Sequence, residues 1–248
     1  MAAIRTIVVV LYLALALFLG MPFLILWGLL TGKPDFMYHA TMSAIRVALR
    51  MAGIHVHVEG LENVPAGVCI FAANHVSNMD PLAFVPAIPR RVSLLAKKEV
   101  FRIPVLSKAM RMAKLIPVDR DDREAAASSV DIAVQYLHEG LSFAVYPEGT
   151  RSRDGRLLPF KKGTFLMAIQ AGVPVVPVSI VGAQALMRKG EWILRPGDVT
   201  IRFGPAVDAA KYSLDQRADL LNKVQALVAA GLPADQQPLP VTRDAAHK

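Results

Sequence analysis

A chain of 248 residues has room for one sizeable α/β core with an appendage, and not for two ordinary domains with separate cores. The formal net charge of +8 suits an anionic partner, and the 54% hydrophobic content, concentrated near the N-terminus, favours a bilayer surface or a phosphorylated substrate over nucleic acid. Cys69 is the only cysteine, which excludes an intrachain disulfide and a cysteine-based zinc site and fits a reducing, cytoplasm-facing core.

Residues 6–30 carry no charge. As a helix rising 1.5 Å per residue, this stretch would reach roughly 37 Å, enough to cross a hydrocarbon core of about 30 Å. Gly20 and Pro22 interrupt its middle, so a kinked or re-entrant helix is the alternative to a spanning one. A secretory signal fits poorly, because the apolar run is longer than such signals carry and no small-residue cleavage site follows it. Arg5 and Lys33 flank the run almost evenly, and charge alone does not orient it.

A second helix is expected over residues 35–52. Asp35, His39, Ser43, Arg46 and Arg50 recur there at helical spacing and form one polar stripe. The stripe fits a headgroup layer, with its arginines near lipid phosphates, and the alternative is a core helix of the globular domain.

From residue 54 the pattern changes to short apolar runs separated by helical segments. Strands are expected at 54–58, 68–73, 92–96, 115–118, 141–146, 175–181 and 199–203, with helices including 123–139 and 160–171 closed by Gly140 and Gly172. In the first strand His55 and His57 alternate with apolar residues and read as solvent-facing rather than metal-binding. The alternation predicts an α/β fold with a largely parallel central sheet flanked by helices, preceded by an N-terminal two-helix membrane-binding segment. Ser213 and Gln216 form a capping box for a last helix that Gly231 and Pro233 stop. The expected organisation is a membrane-associated segment at 1–53, the α/β domain at 54–231 and a disordered tail at 232–248.

Three expected strands end in polar residues, and the C-terminal ends of strands are where open α/β sheets place ligands. The first is followed by Asn74-His75-Val76-Ser77-Asn78-Met79-Asp80-Pro81. There a histidine can take a proton at neutral pH, and an aspartate five residues on can turn back to its other ring nitrogen. Aspartate before proline is also a helix N-cap, and the two roles are compatible. The second is Ile116-Pro117-Val118-Asp119-Arg120, and the third Tyr146-Pro147-Glu148-Gly149-Thr150-Arg151-Ser152, which puts an arginine suited to phosphate, hydroxyls and a permissive glycine in one loop. Each arginine alone is an ordinary surface charge, but three such strand ends together point to a shared site.

In order and spacing these segments, with Val173-Pro174-Val175-Val176-Pro177-Val178, resemble the four motifs of the glycerolipid acyltransferase family, which includes 1-acylglycerol-3-phosphate acyltransferases. The resemblance covers roughly residues 54–205, and the N-terminal pair of helices resembles the membrane anchor of bacterial members. It implies His75 as general base and Asp80 as its orienting partner. It also implies Arg120 and Arg151 on the acceptor phosphate, Glu148, Gly149 and Thr150 at the acceptor site, and Pro177 in a structural role or near the acyl chain. Tyr146 stands where the family has phenylalanine, and Val76 where glutamine is frequent, which leaves acceptor preference open.

The partners implied are a lysophospholipid acceptor, acyl-CoA or acyl-acyl-carrier protein as donor, and a bilayer, with no metal and no bound cofactor. The implied location is the inner, cytoplasmic membrane with the domain facing the cytoplasm. Lys97, Lys98, Lys161 and Lys162 flank the motif loops and fit either donor steering or a solvated basic face. The alternatives are another acceptor, such as a lyso-ornithine lipid, and a non-catalytic membrane-binding module. No Gly-x-Ser-x-Gly elbow marks a serine hydrolase; Ser77 and Cys69 are the candidate nucleophiles for an acyl-enzyme, but Cys69, inside an apolar strand, reads as core, and direct acyl transfer is expected.

Overall fold

The computed structural model describes residues 1–33, 35–119, 122–187 and 190–238. Helices α1 (Ala2–Leu15) and α2 (Met21–Thr31) are joined by a π turn at Ala16–Gly20 into one apolar helix of 30 residues. The expected interruption therefore takes the form of a widened turn. Pro22 has no N–H and its ring crowds the carbonyl four residues back, and the π turn, closed by Met21 N–H on the Ala16 carbonyl, accommodates it without breaking the helix.

Helix α3 (Asp35–Met51) returns alongside both halves. Ile7, Leu11, Phe18, Phe23, Leu26 and Trp27 remain exposed on the first helix, while Val9 and Met21 are buried against the rest of the protein. Tyr38, Met42, Ala48 and Leu49 of α3 join the main core, so one face of α3 is that of a core helix. Its polar stripe does not all face outward as expected. Arg46 Nη2 donates to the Pro86 carbonyl at 2.7 Å and Asp35 pairs with Arg91 at 2.6 Å, both on the α/β domain. An arginine reaching a carbonyl at the end of a short helical turn satisfies an acceptor that the turn leaves unpaired.

Seven strands form one sheet: β1 (Ile54–Glu59), β2 (Ile70–Ala73), β3 (Val92–Lys97), β4 (Ile116–Val118), β5 (Ser142–Val145), β6 (Val175–Val181) and β7 (Gly197–Phe203), in the order β1-β7-β6-β2-β5-β3-β4. All neighbours are parallel except β6 and β7, so β1 and β7 run against the other five. The central strands β2 and β5 are buried on both faces, which is why they read as unbroken apolar runs. Edge strand β1 exposes His55 and His57, and His57 pairs with Asp198.

Side chains alternate across the sheet into two layers. Phe71, Ala73, Val178 and Ile180 pack toward α1, α3 and the short helices α4 (Asp80–Phe84) and α8 (Ala183–Leu186). Ile70, Ala72, Phe143 and Val145 pack toward α6 (Arg123–His138), α7 (Gly163–Ala171) and α9 (Arg217–Ala230). Helix α5 (Pro104–Met112) packs against α2, where Ala109 meets Met21.

The capping box at Ser213 and Gln216 forms as expected, opening a 3-10 turn that runs into α9. Residues 232–238, assigned to a disordered tail by the sequence reading, pack on the domain instead. Leu232 is buried, Leu157 N–H donates to the Gln236 carbonyl at 2.9 Å, and the Gln237 amide donates to the Leu232 carbonyl at 3.0 Å. The remainder of that tail, 239–248, lies outside the described residues.

Gly182 ends β6 with φ +91°, and a Cβ there would lie 2.4 Å from the Asp198 carbonyl oxygen. Gly140 has the same φ with open space around it. Gly182→Ala is expected to cost about 2–4 kcal/mol and Gly140→Ala only about 1 kcal/mol, read as urea midpoints in detergent.

Candidate active site

Because β2, β3, β4, β5 and β6 are parallel, their C-terminal ends share one edge of the sheet, and the polar loops gather there. Asn74 follows β2, and its fully buried amide accepts from Ile180 N–H at 2.7 Å and donates to the Ile180 carbonyl at 3.0 Å. The side chain thus supplies the rung of the ladder beyond Ala73, and the backbone is free to turn away at His75.

His75 Nδ1 lies 2.6 Å from Asp80 Oδ2, and the same oxygen accepts from Val76 N–H at 2.7 Å and Ser77 N–H at 2.8 Å. Asp80 is the first residue of α4 rather than its N-cap, which is Met79, and its carboxylate points back into the loop. Ionised carboxylate accepts only, so Nδ1 is the donor and Nε2 carries the free lone pair of the neutral ring. Asp80 is fully buried while the His75 side chain keeps 12% exposure, which leaves the imidazole open to a reactant. Ser77 Oγ donates to the Met187 carbonyl at 2.6 Å and accepts from Met79 N–H at 3.2 Å, so this hydroxyl is committed to holding the loop.

The loop after β5 is tied to the same histidine. The Tyr146 ring stacks on the His75 ring at 4.2 Å between centroids. Glu148 Oε1 accepts from His75 N–H at 2.7 Å, Glu148 Oε2 from Leu158 N–H at 3.3 Å, and Ser152 N–H donates to the His75 carbonyl at 2.8 Å. Glu148 is 2% exposed. Both its oxygens are turned to amide donors, so it holds the backbone of the His75 loop and of its own loop. Burial, aided by the Asp80 charge, pushes its carboxyl up to about 8 against the pull of those two donors.

Gly149 has φ +71°, and a Cβ there would lie 2.9 Å from Lys161 Nζ, so the glycine lets the Lys161 side chain cross the loop. Arg151 Nη1 donates to Asn78 Oδ1 at 2.6 Å, which brings the arginine beside the His75 loop, and Thr150 is exposed at the loop surface. Lys98 pairs with Asp119, Lys97 lies 3.5 Å from Glu99, and Arg120 is outside the described residues. Pro177 is buried within β6, where its carbonyl accepts from Gly204 N–H at 2.8 Å.

The sequence reading missed the roles of Asn74, Ser77, Asn78 and Tyr146, although all four lie in the segments it singled out. An apolar cavity of about 240 Å³ opens beside Asn78 and Met79, walled by Val9 and Leu13 of α1, Ile45 and Leu49 of α3, and Leu82. A larger groove of about 630 Å³ lies at the opposite edge of the sheet, among Arg90, Arg91, Lys114 and Glu139. Its charges are matched locally: Arg91 by Asp35, Lys114 by Glu139, and Arg90 by the carbonyls of residues 65–67.

A histidine and aspartate paired at a strand end of an α/β sheet, next to an arginine and an apolar cavity, define an enzyme site able to activate a hydroxyl near a lipid chain. Similarity to known proteins agrees. The family model described as Acyltransferase matches residues 55–181, and the chain belongs to this family. It is 36% identical over 188 residues to a 1-acyl-sn-glycerol-3-phosphate acyltransferase of Limnanthes douglasii, covering 75% of this chain and 66%, just under two thirds, of that protein. A protein of the same name from Borreliella burgdorferi is 31% identical, with 74% of both chains covered. The crystal structure of the 1-acyl-sn-glycerophosphate (LPA) acyltransferase PlsC from Thermotoga maritima superposes with a TM-score of 0.78 at 30% identity, covering 93% of this chain and 96% of that one.

The raised Glu148 carboxyl has a stability consequence. The folded state holds this proton up to about 8, whereas an unfolded glutamate releases it near its ordinary 4.5. Its contribution is therefore complete below about pH 4.5 and is lost as pH rises toward about 8, by a few kcal/mol. Urea unfolding from pH 5 to 8 should show that decline in the parent and not in Glu148→Gln, whose stability should also be lower by about 1–3 kcal/mol because its amide nitrogen is no acceptor and leaves one of the two backbone donors unpaired. A parent profile flat across this window would contradict the assignment.

Proposed function

We propose that the protein is a 1-acyl-sn-glycerol-3-phosphate acyltransferase that moves an acyl group from a thioester donor to the sn-2 hydroxyl of 1-acylglycerol-3-phosphate, giving phosphatidic acid. The observation that carries the reading is the His75 Nδ1 to Asp80 Oδ2 contact of 2.6 Å, which leaves Nε2 as the base. Nε2 takes the acceptor hydroxyl proton as the oxygen attacks the thioester carbonyl. The tetrahedral intermediate then collapses, the carbon–sulfur bond breaks, and the imidazolium returns the proton to the departing thiolate.

Direct transfer is favoured by the state of the two nucleophile candidates, Ser77 beside His75 and Cys69 at the opposite end of β2. Ser77 is buried with its hydroxyl hydrogen-bonded, and burial pushes the Cys69 thiol up to about 11. Arg151, held over the loop by Asn78, is suited to the acceptor phosphate, with Arg120 assigned the same role by its motif. Gly149 and Thr150 border that position, and the 240 Å³ apolar cavity fits an acyl chain. The apolar helix pair holds the enzyme at the inner membrane, with the domain and its thioester donor, acyl-CoA or acyl-acyl-carrier protein, on the cytoplasmic side.

His75→Ala is expected to lower turnover by at least about 10²-fold, and Asp80→Asn by orders of magnitude, in protein that still folds. Near-parent turnover by folded His75→Ala would overturn the reading. Against a common thioester donor, 1-acylglycerol-3-phosphate should react at least about 100 times faster than monoacylglycerol, because a site built around a phosphate leaves cations uncompensated without it. That preference should shrink about tenfold or more in Arg151→Ala. Equal rates on the two acceptors, or a preference for a lyso-ornithine lipid, would remove the phosphate assignment and leave the His75 chemistry standing.

A further inference from the structure

We infer that Tyr146 is a positioning residue for His75, its ring fixing the plane of the imidazole and facing the imidazolium that forms when the acceptor is deprotonated. This rests on the reading of His75 as general base. The two rings are stacked at 4.2 Å and 21°. One hydrogen bond at Nδ1 constrains a distance, whereas the orientation of the imidazole depends on two side-chain torsions, so a soft combination of them is left over. A flat surface at stacking distance removes it.

Tyr146 is itself held from behind. Its ring meets Phe84 edge-on at 6.2 Å and 67°, and the fully buried Phe84 leans on Phe203, which in turn meets Phe71 at 5.9 Å and 75°. His75 therefore rests on a chain of aromatic rings rooted in the sheet, and those rings have few rotamers and little room to change them. The same contact is better suited to the protonated ring than to the neutral one, since a cation over an aromatic face is stabilised electrostatically. The base is thereby favoured in the state it reaches during proton abstraction.

The hydroxyl of Tyr146 takes no part in this arrangement. It is buried and has no hydrogen-bond partner among the described residues. Burial, with the Asp80 charge adding to it, holds its pKa well above the ordinary value, and the phenol stays neutral. The ring face, not the hydroxyl, is the functional group.

The test is steady-state kinetics of the full-length chain in detergent, with a thioester donor and 1-acylglycerol-3-phosphate, on Tyr146→Phe, Tyr146→Leu and His75→Ala. Tyr146→Leu should lower kcat about tenfold with KM for the acceptor changed by less than about twofold, because the lost contact matters more in the transition state than in the ground state. Tyr146→Phe should recover kcat to within about threefold of the parent. Urea unfolding establishes that each variant is folded; if Tyr146→Leu is not, Tyr146→Met, which adapts its shape to the same space, carries the same expectation. The inference is overturned if a folded Leu or Met variant turns over like the parent, if the loss lies in KM, or if Tyr146→Phe is as impaired as Tyr146→Leu. An active His75→Ala would instead remove the base itself, whereas an inactive His75→Ala beside a normal Tyr146→Leu would remove only the role given to Tyr146.

Discussion

The arrangement of this site depends on one oxygen atom. Asp80 Oδ2 accepts from the His75 ring and from the backbone of Val76 and Ser77, and by doing so closes residues 75–80 into a fixed loop. A carboxylate with no exposure is tolerated only when donors replace the water it has lost; three donors do so at Oδ2, while the buried Oδ1 has no hydrogen-bond partner among the described residues. The ring nitrogen is one of these three, so the interaction that stabilises the buried charge also sets the tautomer of the histidine. Loop conformation and proton chemistry are not separable here.

The other motif loop is organised around the same residue. The His75 backbone amide goes to Glu148 and its carbonyl to Ser152, so the peptide groups on both sides of His75 are pinned by a loop 73 or more residues away in sequence. Asn78 and Arg151 add a side-chain contact between the two loops, and Met187, just past α8, supplies the carbonyl that holds Ser77. Backbone-to-side-chain bonds of this kind position the histidine more tightly than side-chain packing alone. They also explain why Glu148 is buried: its job is to satisfy amides that the sheet no longer pairs.

The N-terminal helices are built into the domain rather than merely attached to it. Val9, Tyr38, Met42 and Leu49 belong to the same core as Phe71 and Ile180, and α1 and α3 form the wall of the cavity that ends at Asn78 and Met79. The Leu194 amide donates to Thr6 Oγ1 at 2.9 Å, which ties the loop before β7 to the first helix. One side of that helix is committed to the domain and the other presents Phe18, Phe23, Leu26 and Trp27 outward, so the apolar surface and the apolar cavity are two sides of one element.

The seven strands, helices α3, α6, α7 and α9, and the strand-end positions of His75 and Arg151 follow from the sequence alone. A doubly buried strand must be an apolar run, and local punctuation by glycine, proline and capping residues marks where each element stops. The His-x4-Asp pairing was legible for the same reason, since five residues are close enough for a local turn to join them. The antiparallel setting of β6 and β7, the neighbours of β2, the packing of 232–238 on the domain and the inward turn of Arg46 were decided only by tertiary structure. None of these is a property of a local window. The direction of a strand leaves its hydrophobic pattern unchanged, and a carboxyl such as Glu148 or a ring such as Tyr146 acquires its role from partners on other strands, which only the folded sheet brings within reach.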